Sequence, residues 1–139
     1  MTVVNLNVIL DSFYALLVSE LGGNINDSYD YRTIPDKVNR SLTIMYMGGK
    51  PIGKVTGGGF NYLNVAIILG AQHDKSETSL RSAYRDLNDM ETTLLNFFDG
   101  HTSVYWHKIQ VPYESARPRA FVEIPETQFA EIPVRLLLR

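Results

Sequence analysis

Apolar residues in the first part of the chain recur at steps of three and four residues. This spacing is typical of one side of an amphipathic helix, and Gly22 and Gly23 follow where a helix commonly ends in glycine. The apolar side is wide, because Tyr14 and Val18 flank the main stripe. We predict a helix that packs on a sheet. Tyr14 and Val18 are candidates for contact with another subunit, and packing within the domain is the alternative. The main stripe consists of Leu6, Ile9, Leu10, Phe13, Leu17 and Leu21.

Two alternating stretches, 42–46 and 63–69, follow a segment without a regular period at 24–40. Each alternating stretch predicts a half-buried strand, and the segment before them is interpreted as a long connection. Glycine clusters lie between the two strands. We therefore predict a hairpin with a connection of about a dozen residues, a length that is often functional. The first cluster, which is expected to end the first strand, is Gly48, Gly49, Lys50 and Pro51, and the second is Gly57, Gly58 and Gly59.

A second helix is predicted after the hairpin. Asp74 and Glu77 have the spacing of a capping box, and Gly100 stands where the helix is expected to stop. Between these two predicted helix ends, apolar residues recur on one side, which indicates a helix that packs on the same core. Its residues are Leu80, Ala83, Tyr84, Leu87, Met90, Leu94 and Phe97.

Three strand-like stretches complete the chain, at 104–111, 120–124 and 132–139. The last one alternates regularly, and Pro133 indicates that it begins near a sheet edge, because proline cannot donate a ladder hydrogen bond. The predicted order is α-β-β-α-β-β-β. Helices set against one sheet make an α+β domain, so we predict a mostly antiparallel sheet packed against two helices, as a single domain over residues 1–139.

Composition excludes several classes of function. The 139 residues contain no cysteine, so disulfides and thiolate chemistry are excluded, and the formal net charge is −2. Nucleic-acid binding as the main task requires clustered basic residues, and the pair Arg117 and Arg119 is too sparse to supply them. Asp11 interrupts the apolar N-terminal stretch, so we expect neither a targeting segment nor contact with a membrane.

The segment 48–54 matches the glycine and lysine spacing of a phosphate-binding loop. Val55 stands where such a loop needs a hydroxyl side chain for magnesium, and the glycines that follow cannot begin the required helix. A hairpin loop is therefore the better interpretation.

Other candidate chemistry is equally incomplete. The histidines show no metal-ligand spacing, and structural or surface roles are expected for His73, His101 and His107. The carboxylates that are close in sequence fall on the solvated side of the second helix: Asp86, Asp89 and Glu91. We predict a protein that is not an enzyme, with no catalytic residue, no metal and no cofactor.

The order of elements resembles the tail terminator proteins of long, non-contractile-tailed phages, also known as phage minor capsid proteins. The resemblance rests on four stretches of sequence. They are the first helix, which ends at 21–23; the segment 34–36 with the strand at 42–46 that follows it; the strand at 62–70 with the helix that begins near Asp74; and the C-terminal stretch 129–139. One position departs from the family pattern. These proteins often have an arginine directly before the glycine that ends the central strand, and here that residue is Leu69.

The resemblance implies a structural virion protein in the phage tail or neck, assembled in the host cytoplasm. Tail terminators form a ring, commonly a hexamer, that caps the tail tube and meets the head connector protein, while DNA passes through without specific binding. The expected contact loops are two segments. One is 48–59, and the other is 112–119, which includes Arg117 and Arg119. Two alternatives stay open: another phage neck or head-completion protein, and a small ligand-binding domain or enzyme.

Overall fold

The computed structural model describes residues 5–22, 27–28, 40–51, 60–112, 114 and 126–139. Two helices and five strands lie in this part of the chain. In chain order they are α1 (Leu6–Leu21), β1 (Asp27–Ser28), β2 (Ser41–Pro51), β3 (Phe60–Gln72), α2 (Glu77–Phe98), β4 (Trp106–Gln110) and β5 (Thr127–Leu138).

The strands form one sheet in the order β1-β2-β3-β5-β4. The four longer strands pair with one another in antiparallel fashion, and only the two-residue β1 pairs in parallel, with β2. The predicted α+β class with a mostly antiparallel sheet is confirmed. The predicted order of strands differs in detail. β1 lies in the segment interpreted as a connection, and the strand predicted at 120–124 lies outside the described residues.

One face of the sheet packs against both helices and forms the core. The strand register places matching apolar residues side by side on this face, for example Ile44 opposite Ile67 and Ile67 opposite Ile132. Phe13 of α1 lies at the centre, 5.7 Å from the Trp106 ring in an edge-to-face contact and 6.2 Å from the Phe98 ring. Such aromatic pairs contribute about 0.5–1.5 kcal/mol each beyond the burial of their area. They connect α1 with the end of α2 and with β4.

Helix α1 agrees with the sequence pattern. Asn5 is its N-cap residue, and the side-chain oxygen accepts hydrogen bonds from the N–H groups of Asn7 and Val8. Gly22 has a φ of 44°, and its N–H donates to the carbonyl of Val18 at the C-terminus. Five of the six residues in the predicted stripe are buried, and Leu6 packs against them from the helix start.

Helix α2 exists as predicted, but the predicted cap is wrong. The N-cap residue is Ser76, whose hydroxyl accepts from the N–H of Ser79 at 3.1 Å. Asp74 lies two residues earlier and accepts from the N–H of Ser76 at 2.7 Å. Hydrogen bonds from the side chain and the backbone of Ser76 hold the pKa of Asp74 below its ordinary value. The capping sequence is therefore shifted by two residues from the predicted Asp74–Glu77 box.

The buried side of α2 is also narrower than predicted. Leu80 is 41% exposed and Tyr84 is 45% exposed, although the sequence pattern assigns both to the core side. At the other end Phe98 is buried, whereas Phe97 is only half-buried. The remaining predicted residues of this side are buried: Ala83, Leu87, Met90 and Leu94.

Strand β2 continues through the glycines that the sequence pattern expects to end it. The pairing with β3 shifts between Tyr46 and Gly49, and Gly48 adopts a φ of 99° at this irregularity. At Gly49 a β-carbon would lie 2.8 Å from the carbonyl oxygen of Tyr62 and 2.9 Å from a methyl carbon of Leu63. The glycines thus serve a bulge inside the strand, where one residue needs positive φ and the other has no room for a side chain.

Strand β5 is longer than predicted and begins before Pro133. It pairs with β3 from Thr127 to Leu137, and Pro133 lies opposite Ala66. The prediction that the strand begins near a sheet edge holds at Pro133 itself and not for the whole of β5. β4 pairs with residues 135–138 of β5, so the described part of the chain places a neighbour on one side of Pro133 alone.

Candidate interaction surface

The side of the sheet that faces away from the helices is here called the reverse face. Strand alternation and cross-strand pairing assign its residues, because side chains of paired residues lie on the same side. On the four longer strands it includes Thr43, Met45, Met47, Lys50, Tyr62, Asn64, Ala66, Ile68, Lys108, Gln110, Phe129, Glu131, Pro133, Arg135 and Leu137.

The two ends of the reverse face differ in burial. Ile68 and Phe129 are buried and pack with Met45 in a small cluster of their own. At the other end Met47 is 59% exposed, and Tyr62 and Leu137 are half-buried. The apolar surface therefore continues from a covered end to an open end of the same face.

A groove of about 250 Å³ lies on the open end. Its apolar lining includes Met47, Ala66 and Pro133, and two charged side chains, Glu131 and Arg135, also border it. A mainly apolar concavity with a few polar groups is the usual form of a binding surface. The reverse-face groove is therefore a candidate site in the part of the chain that the structure describes.

Two interactions fix the position of Arg135 in this groove. Its Nε donates a hydrogen bond of 3.1 Å to Oδ1 of Asn64, which is the paired residue on β3. Its guanidinium carbon lies 4.2 Å from the centre of the Tyr62 ring. A guanidinium has five N–H donors, and Nε uses one of them here. The terminal nitrogens form no ion pair within the described residues, so a fixed cation with donors still available borders the groove.

Glu131 lies on the same strand and the same face, four residues before Arg135. At about 3.3 Å per residue, the two Cα atoms are about 13 Å apart, which is too far for an ion pair between them. Glu131 also has no cationic partner among the described side chains. The groove therefore has a negative group at one end and a fixed positive group at the other.

A second groove, of about 600 Å³, lies between the end of α2 and strand β4. It is bordered by Leu95, His101 and Lys108. The ring of His101 contacts Phe97 at 4.4 Å, and its Nδ1 accepts a hydrogen bond of 3.3 Å from Nε1 of Trp106. This groove is more open and its histidine is engaged in packing the buried tryptophan, so it offers less defined chemistry.

The predicted contact residues are not brought together by the structure. Tyr14 and Val18 are half-buried and pack against the core, so much of their surface is already used inside the domain. Gly48, Gly49, Lys50 and Pro51 belong to β2, where Lys50 is exposed and lies opposite Tyr62 on the open end of the reverse face. The other candidates lie outside the described residues: Gly57, Gly58, Gly59, Arg117 and Arg119.

Sequence reasoning missed the groove residues Met47, Glu131, Pro133 and Arg135. A signal was present, since regular alternation in 132–139 places Pro133 and Arg135 on one side. Alternation identifies the opposite, buried side as core, and it does not indicate that the exposed side forms a groove.

Metal-ligating side chains are scattered in the described ranges, where no group of three or more could hold an ion. His73 is engaged through both ring nitrogens, with the carbonyl of Asp74 at 2.8 Å and the side chain of Gln128 at 3.2 Å. His107 is exposed on β4. Neither α1 nor α2 combines the length and hydrophobicity that a membrane-spanning helix requires.

No protein-family model matches the chain, and no curated protein matches it. Function is therefore inferred from the residues and from the geometry described above.

Proposed function

We propose that this protein is a structural virion protein, a tail terminator that forms a ring on the phage tail tube and joins it to the head connector. The observation that carries the proposal is the position of the stretches that resemble this family. The stretches that the structure describes fall on α1, on β2, on β3 with the start of α2, and on β5, whereas 34–36 lies outside the described residues. These elements form the centre of the sheet and its helical cover, so the resemblance coincides with the framework of the fold.

A ring needs two different patches on each subunit, because a head-to-tail contact joins unlike surfaces. One candidate patch is the end of the β2–β3 hairpin, where exposed Lys50 precedes the connection at 52–59. The other is the segment that follows β4, at 112–119. In the proposed ring, hexameric as in the family, these segments contact neighbouring subunits or the tube and connector proteins. DNA passes through the lumen without specific binding.

A phage that carries the gene provides the test. Deleting the gene is expected to leave tails of uncontrolled length, or finished tails that do not join heads, and supplying the protein in trans is expected to restore plaques. Electron microscopy of the lysate distinguishes these particles. Normal infectious phage in the absence of the protein would contradict the proposal.

A matched pair of variants tests the hairpin patch. Lys50→Glu reverses a charge beside the β2–β3 connection, and Lys75→Glu makes the same change at an exposed position before α2. We expect Lys50→Glu to lower phage titre at least tenfold while the melting temperature stays the same, and Lys75→Glu to leave titre unchanged. Equal titres for the two variants would show that the hairpin patch makes no contact in assembly.

A further inference from the structure

Three cations lie near one another on the open end of the reverse face. Lys50 of β2 pairs with Tyr62 of β3, and Tyr62 pairs with Leu137 of β5. On the other side of β5, Leu137 pairs with Lys108 of β4. Arg135 lies two residues before Leu137 on the same side of β5. Lys50, Lys108 and Arg135 are here called the basic patch.

The basic patch extends across the four longer strands. Neighbouring strands are about 4.8 Å apart, so three strand spacings separate Lys50 from Lys108 by about 14 Å. Both lysines are exposed, and neither forms an ion pair within the described ranges. Arg135 lies between them and is fixed by its hydrogen bond to Asn64, with terminal nitrogens still available. The patch therefore offers three cations that can meet an anion from outside.

The charge of this face differs in sign from the formal net charge of −2 of the whole chain. On the four longer strands, the reverse face carries the three cations of the basic patch and one carboxylate, Glu131, a formal charge of +2. Glu131 is about 13 Å from Arg135 along β5, toward the covered end. On the other side of the sheet, α1 and α2 contain six carboxylates and two arginines, a formal charge of −4. The fold thus separates a positive surface from a negative one.

The residue types of the basic patch favour phosphate groups over an acidic protein as the partner. Lysine is depleted in protein–protein interfaces, whereas lysine and arginine make the phosphate contacts of nucleic-acid-binding proteins. The width of about 14 Å corresponds to the rise of about four base pairs of DNA, so the cations can meet several phosphates of one backbone.

The geometry also favours a double strand over a single strand. Proteins hold single strands through aromatic rings on which the bases stack. Here the Tyr62 ring is half-buried, and the guanidinium carbon of Arg135 lies 4.2 Å from its centre, so one face of the ring is covered. Base sequence in a duplex is read by a helix or a two-stranded ribbon inside a groove, whereas these cations lie on the face of a wider sheet.

We propose that the basic patch binds the phosphate backbone of double-stranded DNA without reading its sequence. Lys50, Lys108 and Arg135 each contact a phosphate. Three such contacts are few, so the contact is weak enough for DNA to move across it. The choice of DNA as the duplex rests on the proposed function, in which DNA passes through the ring and the patch of each subunit faces it. Binding to free DNA does not require the ring.

The salt dependence of binding counts the contacts. Each neutralised phosphate contributes about −0.9 to the slope of log K against log salt concentration, so we expect about −2.7 for each subunit that contacts the duplex. Fluorescence anisotropy of a labelled duplex mixed with the purified protein measures K. Two duplexes of unrelated sequence should give the same curve. No binding at low salt, or a preference for one sequence, would overturn the proposal.

Matched variants assign the binding to the patch. Lys50→Gln and Lys108→Gln are each expected to reduce the slope by about one third and to weaken binding roughly tenfold at about 50 mM salt. Arg135→Gln should act in the same way, whereas Arg135→Lys keeps the charge and should keep the slope. Lys75→Gln, at an exposed position before α2, is the control and should bind like the wild type. Unchanged binding in both lysine variants would overturn the proposal.

Competitors identify the class of partner. At equal concentrations of charged groups, unlabelled duplex is expected to displace the labelled duplex better than single-stranded DNA or poly-glutamate does. Better displacement by the single strand would overturn the choice of a duplex, and better displacement by poly-glutamate would indicate an acidic protein partner instead.

Lys50 also borders the hairpin patch, so Lys108, on the far side of the sheet, separates DNA contact from ring contact. A protein that binds DNA but leaves tube ends bare would contradict the proposed function alone. A protein that forms rings on tubes but does not bind DNA would contradict the present inference alone.

Discussion

Thr43 on β2 has a hydroxyl group that is buried without a hydrogen-bond partner in the described part of the chain. The residue is 1% exposed and lies on the reverse face opposite Ile68. A buried polar group that lacks a partner costs about 1–3 kcal/mol of desolvation free energy. Thr43→Val replaces the hydroxyl with a methyl group and keeps the branched shape that a strand favours. The variant is therefore expected to be more stable than the wild type.

The expected gain is about 1–2 kcal/mol, below the full desolvation cost because the larger methyl group must fit the same space. For a chain of this size, that gain raises the melting temperature by about 3–6 °C. Chemical denaturation with urea measures the free energy of unfolding directly, and a thermal melt followed by circular dichroism gives the second value. An unchanged urea slope would show that the change acts on stability alone.

Thr127 on β5 provides the control. It is also 1% exposed, but it is not without a partner, so Thr127→Val is expected to lower stability by about 1 kcal/mol. The same substitution at equal burial should thus act in opposite directions at the two sites. A lower melting temperature for Thr43→Val would show that its hydroxyl is satisfied and that the reasoning from the geometry is wrong.

Three further predictions concern α2. Leu87→Asp buries a charge in the core and is expected to lower the free energy of unfolding by about 5 kcal/mol or more, enough to abolish soluble folding. Leu95→Asp, at a 37% exposed position of the same helix, should still fold. A normal melting curve for Leu87→Asp would refute the core side assigned to α2. Ser76→Ala removes the N-cap and should lower stability by about 1 kcal/mol in urea unfolding, while Ser82→Ala, which is exposed in the helix, should not. The pKa of Asp74 is lower in the folded protein than in the unfolded chain. The contribution of its carboxylate to folding stability is therefore complete above the ordinary Asp pKa and is lost as pH falls through the pKa of the folded state. The melting temperatures of wild type and Asp74→Asn should therefore differ at neutral pH and converge in acid, and a difference that persists in acid would contradict this linkage.

Helix and strand positions were predictable where one period dominated the sequence. The stripe of α1 repeats along the whole helix, and the alternation in β5 is equally regular, with Ile132 and Val134 buried as expected. The errors occurred where two local signals competed. Asp74 and Ser76 can both cap a helix, and in the structure Ser76 is the N-cap while Asp74 accepts a hydrogen bond from its N–H.

The glycines of β2 were the most informative error. Gly48 and Gly49 commonly end a strand, and local sequence contains no sign that β3 continues to pair beyond them. The close approach of the Tyr62 carbonyl to Gly49 is a contact between residues on different strands. Such contacts determine whether a glycine pair is a turn or a bulge, and the sequence of one strand does not reveal them.

The candidate site was less predictable than the fold. Arg135 gains its fixed position from Asn64 and Tyr62, which lie more than seventy residues earlier in the chain. Only the β3–β5 register brings these residues together. Loop length and composition point instead to the hairpin and to 112–119, and that assignment stays a prediction.

The most direct test of the tail terminator proposal is electron microscopy of the purified protein mixed with the tail tube protein of the same phage. We expect rings of uniform subunit number, on their own or at one end of each tube, with tube length fixed once the ring is in place. A protein that remains monomeric and leaves tube ends bare in every condition would contradict the proposal.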